Sequence, residues 1–311
     1  MKKLILFVVL SVVLIAGCSS KESDTEKSTR GETSTASYPI SVEHEAGTTV
    51  IESERKRIVD IAFASDYLSA LDVPMVGASA KDWGAGKIET VPYLNLEGVQ
   101  PIEMIDNKAN LEQVLALEPD LIIAYADQLD QYEQLSKIAP TIVLDMTKSD
   151  WRELFKTIAK TVQKEAHAER ILEDLSDKIE EVKKKVDPQD AVFFHADFGL
   201  KQIALAGPLS SADALYQELQ LPKSDIVPDG YAGMVEQEAF IIADPGTIFL
   251  YSATDPKKAL DELKKDSLLS NLRAVKNDRV FLLQKAFWMN SGPISMDLRL
   301  EDLMNVYKPV S

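Results

Sequence analysis

The sequence predicts an α/β protein of two lobes joined by a long helical strut, behind an N-terminal leader and a polar tether. Three observations carry this. Short β-branched runs alternate with helix-like stretches in two separate series, one motif occurs once in each series, and a stretch without Gly or Pro lies between them.

The chain opens with Lys2 and Lys3, then fourteen uncharged, mostly apolar residues, Leu4 to Gly17, and then Cys18, the single cysteine of the 311 residues. A membrane-spanning helix needs about 20 apolar residues, so this run has the dimensions of an export signal, with a basic start and a short apolar core. Ile15-Ala16-Gly17-Cys18 resembles a bacterial lipobox, which implies a signal peptide over 1–17 and lipidation of Cys18. The mature chain then holds no thiol, which suits an oxidising compartment. Residues 18–38 follow, reading "SSKESDTEKSTRGETSTAS" from Ser19 to Ser37. With no large apolar side chain this stretch cannot offset its chain entropy, so it reads as a disordered tether with ends on the order of 25 Å apart.

The N-terminal lobe is placed at 39–150. Its strands are expected at "RIVDIAF" (Arg57 to Phe63), "PMVGAS" (Pro74 to Ser79), "DLIIAY" (Asp120 to Tyr125) and "PTIVLD" (Pro140 to Asp145). Such runs are buried on both faces of a parallel sheet. The inter-lobe helix is placed at 151–187. Its apolar residues Leu154, Ile158, Val162, Ile171, Leu175, Ile179 and Val182 recur at helical spacing. As one helix, Trp151 to Val186 would rise about 54 Å, and a break at 163–166 would make two helices of it. The C-terminal lobe, 188–311, repeats the alternation at "AVFFHA" (Ala191 to Ala196), "TIFLYS" (Thr247 to Ser252) and "RVFLLQ" (Arg279 to Gln284). Two Rossmann-like lobes with a cleft between them follow.

The shared motif is "LEQVLALEPDLII" (Leu111 to Ile123) and "QEAFIIADPGTIF" (Gln237 to Phe249), which align without gaps. Glu112 matches Glu238, Glu118 matches Asp244, and Pro119 matches Pro245. Each is an amphipathic turn with an acid near its positive end, stopped before a proline, then a strand.

The formal net charge of −16 becomes two units more negative once Lys2 and Lys3 leave with the signal. Phosphate binding needs a basic face, so nucleic acid is excluded as a partner class.

"YLSALDVPMVG" (Tyr67 to Gly77), "NLEQVLALEPDLIIAY" (Asn110 to Tyr125), "KIAPTIVLD" (Lys137 to Asp145) and "WMNSGPIS" (Trp288 to Ser295) resemble the solute-binding proteins of iron–siderophore ABC importers, whose helical-backbone fold is shared by cobalamin and haem binders. The resemblance spans essentially the whole mature chain. It implies capture of a ferric siderophore outside the cytoplasm, on a lipid-anchored protein at the cell membrane, and delivery to a permease driven by a cytoplasmic ATPase. It also implies that Glu112 and Glu238 dock onto arginines of that permease; without it, both are ordinary first-turn acids.

In two-lobed α/β binders the ligand meets loops at the carboxyl ends of strands. That selects Phe63 to Ser65, Lys81 to Trp83, Tyr125, His195 to Phe198, Tyr231, Ser252 and Lys285 to Trp288. Aromatic faces there pack on a chelate's organic frame, and cations meet its metal-bound oxygens. Trp288 matches a tryptophan of hydroxamate-binding relatives, with Trp83, Tyr125 and Tyr231 next, though core packing is an equal account of each aromatic. Hydroxamate binders often carry an arginine in the loop before "DALYQELQL" (Asp213 to Leu221), yet Ala206 to Ala212 has no basic residue. Lys201, Lys81 and Lys285 are the substitutes. No cluster of basic residues suits a catecholate, so a hydroxamate or citrate–hydroxamate is favoured.

His44, His167 and His195 are scattered, and no histidine or cysteine pair has metal-ligand spacing. No resident metal or cofactor is expected; the iron arrives already chelated. His195, at a strand end, is either a ligand contact or a structural histidine. The stretch Gly84-Ala85-Gly86-Lys87 falls short of a phosphate loop, because Lys81 stands where its first glycine belongs and Ile88 where Ser or Thr belongs. With no nucleophile elbow or zincin helix, no enzyme activity is expected. A haem- or cobalamin-binding protein of the same fold, and an exported lipid-anchored hydrolase, are the alternatives.

Overall fold

The computed structural model describes residues 38–82, 88–146, 150–187, 189–210, 212–283 and 286–306. The leader, Cys18, the tether up to Ser37, Trp83 and Lys285 lie outside the described residues. The strand β1 (Ile40–His44) pairs with β2 (Gly47–Ile51) in an antiparallel hairpin. The N-terminal lobe then runs β3 (Ile58–Ile61), α1 (Ser65–Ala70), β4 (Met75–Asp82), β5 (Ile88–Glu89), β6 (Gln100–Ile105), β7 (Lys108–Ala109), α2 (Leu111–Ala116), β8 (Leu121–Tyr125), α3 (Tyr132–Ile138) and β9 (Thr141–Leu144). Its sheet has the order β7-β6-β4-β3-β8-β9, with β5 on β4. The five strands β6, β4, β3, β8 and β9 are parallel throughout.

The strut is two helices, α4 (Trp151–Thr161) and α5 (Glu165–Lys183). The break lies at Gln163, whose φ is +54°, a left-handed value incompatible with a continuing helix. Asp150 starts α4 by accepting from the Arg152 N–H at 2.8 Å, an N-cap interaction. The longer α5 rises about 28 Å.

In the C-terminal lobe come β10 (Ala191–His195), β11 (Gln202–Ala206), β12 (Ala232–Glu236), α6 (Gln237–Ala243), β13 (Thr247–Tyr251), α7 (Pro256–Lys265), α8 (Arg273–Lys276), β14 (Val280–Leu283) and α9 (Pro293–Val306). The sheet order is β12-β11-β10-β13-β14. Strands β10, β13 and β14 are parallel, as expected, but β11 is antiparallel to both its neighbours. This lobe is therefore Rossmann-like only in part. The "DALYQELQL" segment forms one π-helical turn, Ala214–Glu218, in place of an ordinary helix.

All seven expected strands are present. Six of them are buried along most of their length, so successive residues enter different cores, while β14 is mostly half-buried. Val192 and Phe194 of β10 join a cluster with Phe240, Ile248 and Leu263. Ala191 and Phe193 join a central cluster that takes in Ile58, Ile123, Phe155, Ile179, Trp288 and Leu300. A third cluster, with Val59, Ile61, Ile122 and Val114, lies on the other face of the N-terminal sheet. The central cluster thus draws on both sheets and on α4, α5 and α9. No helix among the described residues is long and apolar enough to cross a membrane.

Candidate functional site

A cavity of about 230 Å³ is walled by both lobes. From the N-terminal sheet come Ala62 and Phe63 after β3, Lys81 on β4, Asn107, Tyr125 ending β8, and Met146 after β9. The C-terminal half contributes Leu209 after β11, Tyr231 before β12, and Met289, Asn290 and Ser291 ahead of α9.

The N-terminal wall is held by buried polar groups. Asp60, in β3, accepts from the Ala62 and Ala64 N–H groups at Oδ1 and from Ser65 Oγ at Oδ2. Burial raises its pKa, while these donors oppose that shift. The turn so formed puts Phe63 at φ +57°, a strained conformation for a bulky residue that persists where its surroundings over-determine it. Its N–H donates to Ser79 Oγ at 3.1 Å. Buried Gln128 accepts from the Tyr125 N–H at 2.6 Å and donates to the Asn107 carbonyl at 2.8 Å. Lys81 places its ammonium 4.6 Å from the Phe63 ring centre, and burial lowers its pKa. A desolvated cation gains from an incoming anionic group.

The C-terminal wall is tied across the cleft through Asp66 of α1. Fully buried, its carboxylate accepts from the Ile294 and Ser295 N–H groups at 2.8 Å each. It thereby caps α9. Tyr93 donates its hydroxyl to Asp66 at 2.7 Å and accepts from Asn290 Nδ2 at 2.7 Å. The carboxylate packs so closely that a Cβ on Gly292 would lie 2.4 Å from Asp66 Oδ1, and Gly292 has φ +148°. Burial raises the Asp66 pKa against the pull of its donors.

Of the residues singled out in the sequence, Phe63, Lys81, Tyr125 and Tyr231 line this cavity. Trp83 lies outside the described residues. Trp288 is a correction: it is 0 % exposed, donates Nε1–H to Asp302 at 2.8 Å, and packs against Phe193. It supports the wall from behind, while its neighbours Met289 to Ser291 face the cavity. His195 is also elsewhere, in ring contact with Phe193, Phe198 and Tyr251, and burial lowers its pKa. Ser252 donates to Asp197 at 2.7 Å as part of a turn. Lys201 is exposed just before β11, and its carbonyl accepts from the first N–H of α6. His44 bonds Thr49 within the first hairpin. Both Glu112 and Glu238 are exposed, on the first turns of α2 and α6.

Sequence reasoning missed Asn107, Met146, Leu209 and the 289–291 segment. Leu209 and Tyr231 flank the unanticipated antiparallel pair, where Gly207 allows close approach: a Cβ there would lie 2.1 Å from the Gly230 carbonyl oxygen. The signal for it was Gly207-Pro208 beside Gly230, a turn signature on both sides.

Comparison with known proteins agrees with this architecture. Residues 68–286 match a family described as periplasmic binding protein. The putative ABC transporter substrate-binding lipoprotein YhfQ of Bacillus subtilis is 28% identical, over 93% of this chain and 92% of the relative. The iron(3+)-hydroxamate-binding protein YxeB of the same organism is 27% identical, over 97% and 95%. The crystal structure of Staphylococcus aureus SirA complexed with staphyloferrin B superposes with a TM-score of 0.71 at 26% identity, covering 86% of this chain and 97% of that one.

Proposed function

The chain belongs to the periplasmic binding protein family, and we propose that it is the solute-binding component of an ABC importer, capturing a ferric siderophore for iron uptake. The observation that carries this reading is the inter-lobe cavity with aromatic side chains from both sheets and one lysine among its described lining residues. Phe63, Tyr125 and Tyr231 offer faces to an organic chelator frame, and Lys81 offers charge to metal-bound oxygens. A hydroxamate or citrate–hydroxamate ligand is favoured, in keeping with the hydroxamate-binding relative. Cys18 carries the lipid that holds the protein on the extracytoplasmic face of the membrane. The permease and its cytoplasmic ATPase are the partners, with Glu112 and Glu238 as paired docking charges. Their exposure at matched positions of the repeat supports that role, each acting mainly on orientation and encounter rate.

The shared central core favours small lobe movements, so scattering should detect little compaction on ligand addition. The direct test is tryptophan fluorescence of the soluble chain from Ser20 onward, titrated with ferric trihydroxamates, citrate hydroxamates, ferric citrate, a catecholate, haem and cobalamin. Saturable quenching by a hydroxamate-class chelate, weakened in Tyr231→Ala and Lys81→Ala, supports the reading. Silence towards every ferric chelate removes it. For docking, unchanged iron uptake in a Glu112→Ala, Glu238→Ala double variant would sink that part alone.

A further inference from the structure

We propose that the cleft has a second chamber, walled by Tyr67, Asp150 and Asp213, that takes a protonated primary-amine arm of the captured chelate. The inference rests on the siderophore-binding reading and adds to it the chemistry of one end of the ligand.

The chamber measures about 220 Å³ and shares Met146, Leu209 and Ser291 with the first. Ligand pockets commonly hold about 300–1,000 Å³. The first chamber alone, at about 230 Å³, falls short of that range, and the two adjoining chambers together reach it.

The decisive feature is Tyr67. It lines the chamber and is 0 % exposed, and its hydroxyl has no hydrogen-bond partner among the described residues. A buried hydroxyl of this kind carries a desolvation penalty that no described residue offsets. Burial pushes its pKa well up, and the negative charges of Asp66, Asp213 and Asp150 push the same way against Arg299. The phenol therefore stays neutral, and its oxygen presents lone pairs to a donor.

The charge of the walls selects that donor. Asp150 and Asp213 both line the chamber, and its described lining includes no lysine or arginine. Arg299 lies behind Asp213, paired with Oδ1, the same atom that accepts from the Ala214 N–H. Asp150 accepts from the Arg152 N–H through Oδ1. An ammonium group has three donors and a positive charge, which meets the phenol oxygen and both carboxylates. A carboxylate or hydroxamate oxygen would meet repulsion there.

The test uses a ferric linear trihydroxamate with a free terminal amine and the same chelate N-acetylated, titrated into the mature chain, Tyr67→Phe and Asp150→Asn. The wild type is expected to favour the amine form about tenfold, the scale of one hydrogen bond to a charged group. Both variants should bring that ratio towards one. Equal affinity of the wild type for the two chelates overturns the second chamber as an amine site, leaves it holding water only, and leaves the siderophore reading standing. If neither chelate binds, that reading loses the trihydroxamate class, and 1,5-diaminopentane alone decides the chamber. Saturable binding of the diamine, blunted in Tyr67→Phe, upholds the site, and its absence overturns it.

Discussion

The two lobes build the same unit in the same way, yet furnish the cleft differently. In each, a short helix ends at a left-handed residue before a proline: Glu118 at φ +45° and Asp244 at φ +41°. In each, an arginine from elsewhere clamps that turn. Arg57 donates to the Glu118 and Leu117 carbonyls, and Arg273 donates to the Asp244 carbonyl. The resemblance ends at the cavity. The N-terminal lobe supplies the ends of parallel strands, whereas the C-terminal half supplies the turns of an antiparallel pair and the segment before α9. The repeated unit is scaffold, and the ligand surface lies where the repeat breaks down.

The strongest way to break the comparison is at Arg299 and Asp213, a buried pair in the C-terminal half. Asp213→Asn removes the carboxylate charge that faces a buried guanidinium, and should destabilise by about 3–5 kcal/mol, read as a shift in urea midpoint. A loss below 1 kcal/mol would mean the pair contributes little to this half.

Asp66→Asn tests the tie between the halves. Losing one of the two oxygens that accept from two N–H groups and a phenol should destabilise by about 1–3 kcal/mol. The pH dependence has a definite sign. Burial raises the native Asp66 pKa above its unfolded value, so the native carboxyl holds its proton more tightly. Its contribution is fullest below the unfolded pKa and declines as pH rises through the native one. The deficit of the Asn variant should therefore shrink from about pH 4 upward, and a deficit that grows with pH would contradict the burial-dominated shift.

Gly207→Ala sharpens the contrast between the two walls. Its Cβ would strike the Gly230 and Pro228 carbonyl oxygens, costing about 1–3 kcal/mol. It would displace Leu209 and Tyr231, so ferric-chelate affinity should fall while the N-terminal wall is untouched. The smallest effects belong to Arg57→Ala and Arg273→Ala, each about 1 kcal/mol in thermal unfolding. Similar losses uphold the equivalence of the clamps; a far larger loss on one side ends it.

Seven of the eight parallel strands were legible because burial favours apolar runs such as "AVFFHA" and "DLIIAY", whereas β6, "QPIEMI", has a single buried residue. Strands β11 and β12 were not legible either: "AGMVE" of β12 is an edge strand with no buried residue, and "QIALA" of β11, though buried from Ile203 to Ala206, offers only two large apolar residues to the pattern. Phe63, Lys81, Tyr125 and Tyr231 were legible as strand-flanking residues of suitable chemistry. Trp288 misled because a large aromatic near a loop serves core and cleft equally well, and only its packing against Phe193 and its bond to Asp302 decide between them.

By itself the sequence determined the two α/β series, the repeated helix–turn–strand unit and the helical strut, because periodicity and proline punctuation act over a few neighbouring residues. Only the tertiary structure decided which side chains meet. Asp66 and Ser295 lie 229 residues apart and Tyr93 and Asn290 lie 197 apart, and nothing local marks one as the other's partner. Burial removes the competing water, and that gives each contact its strength.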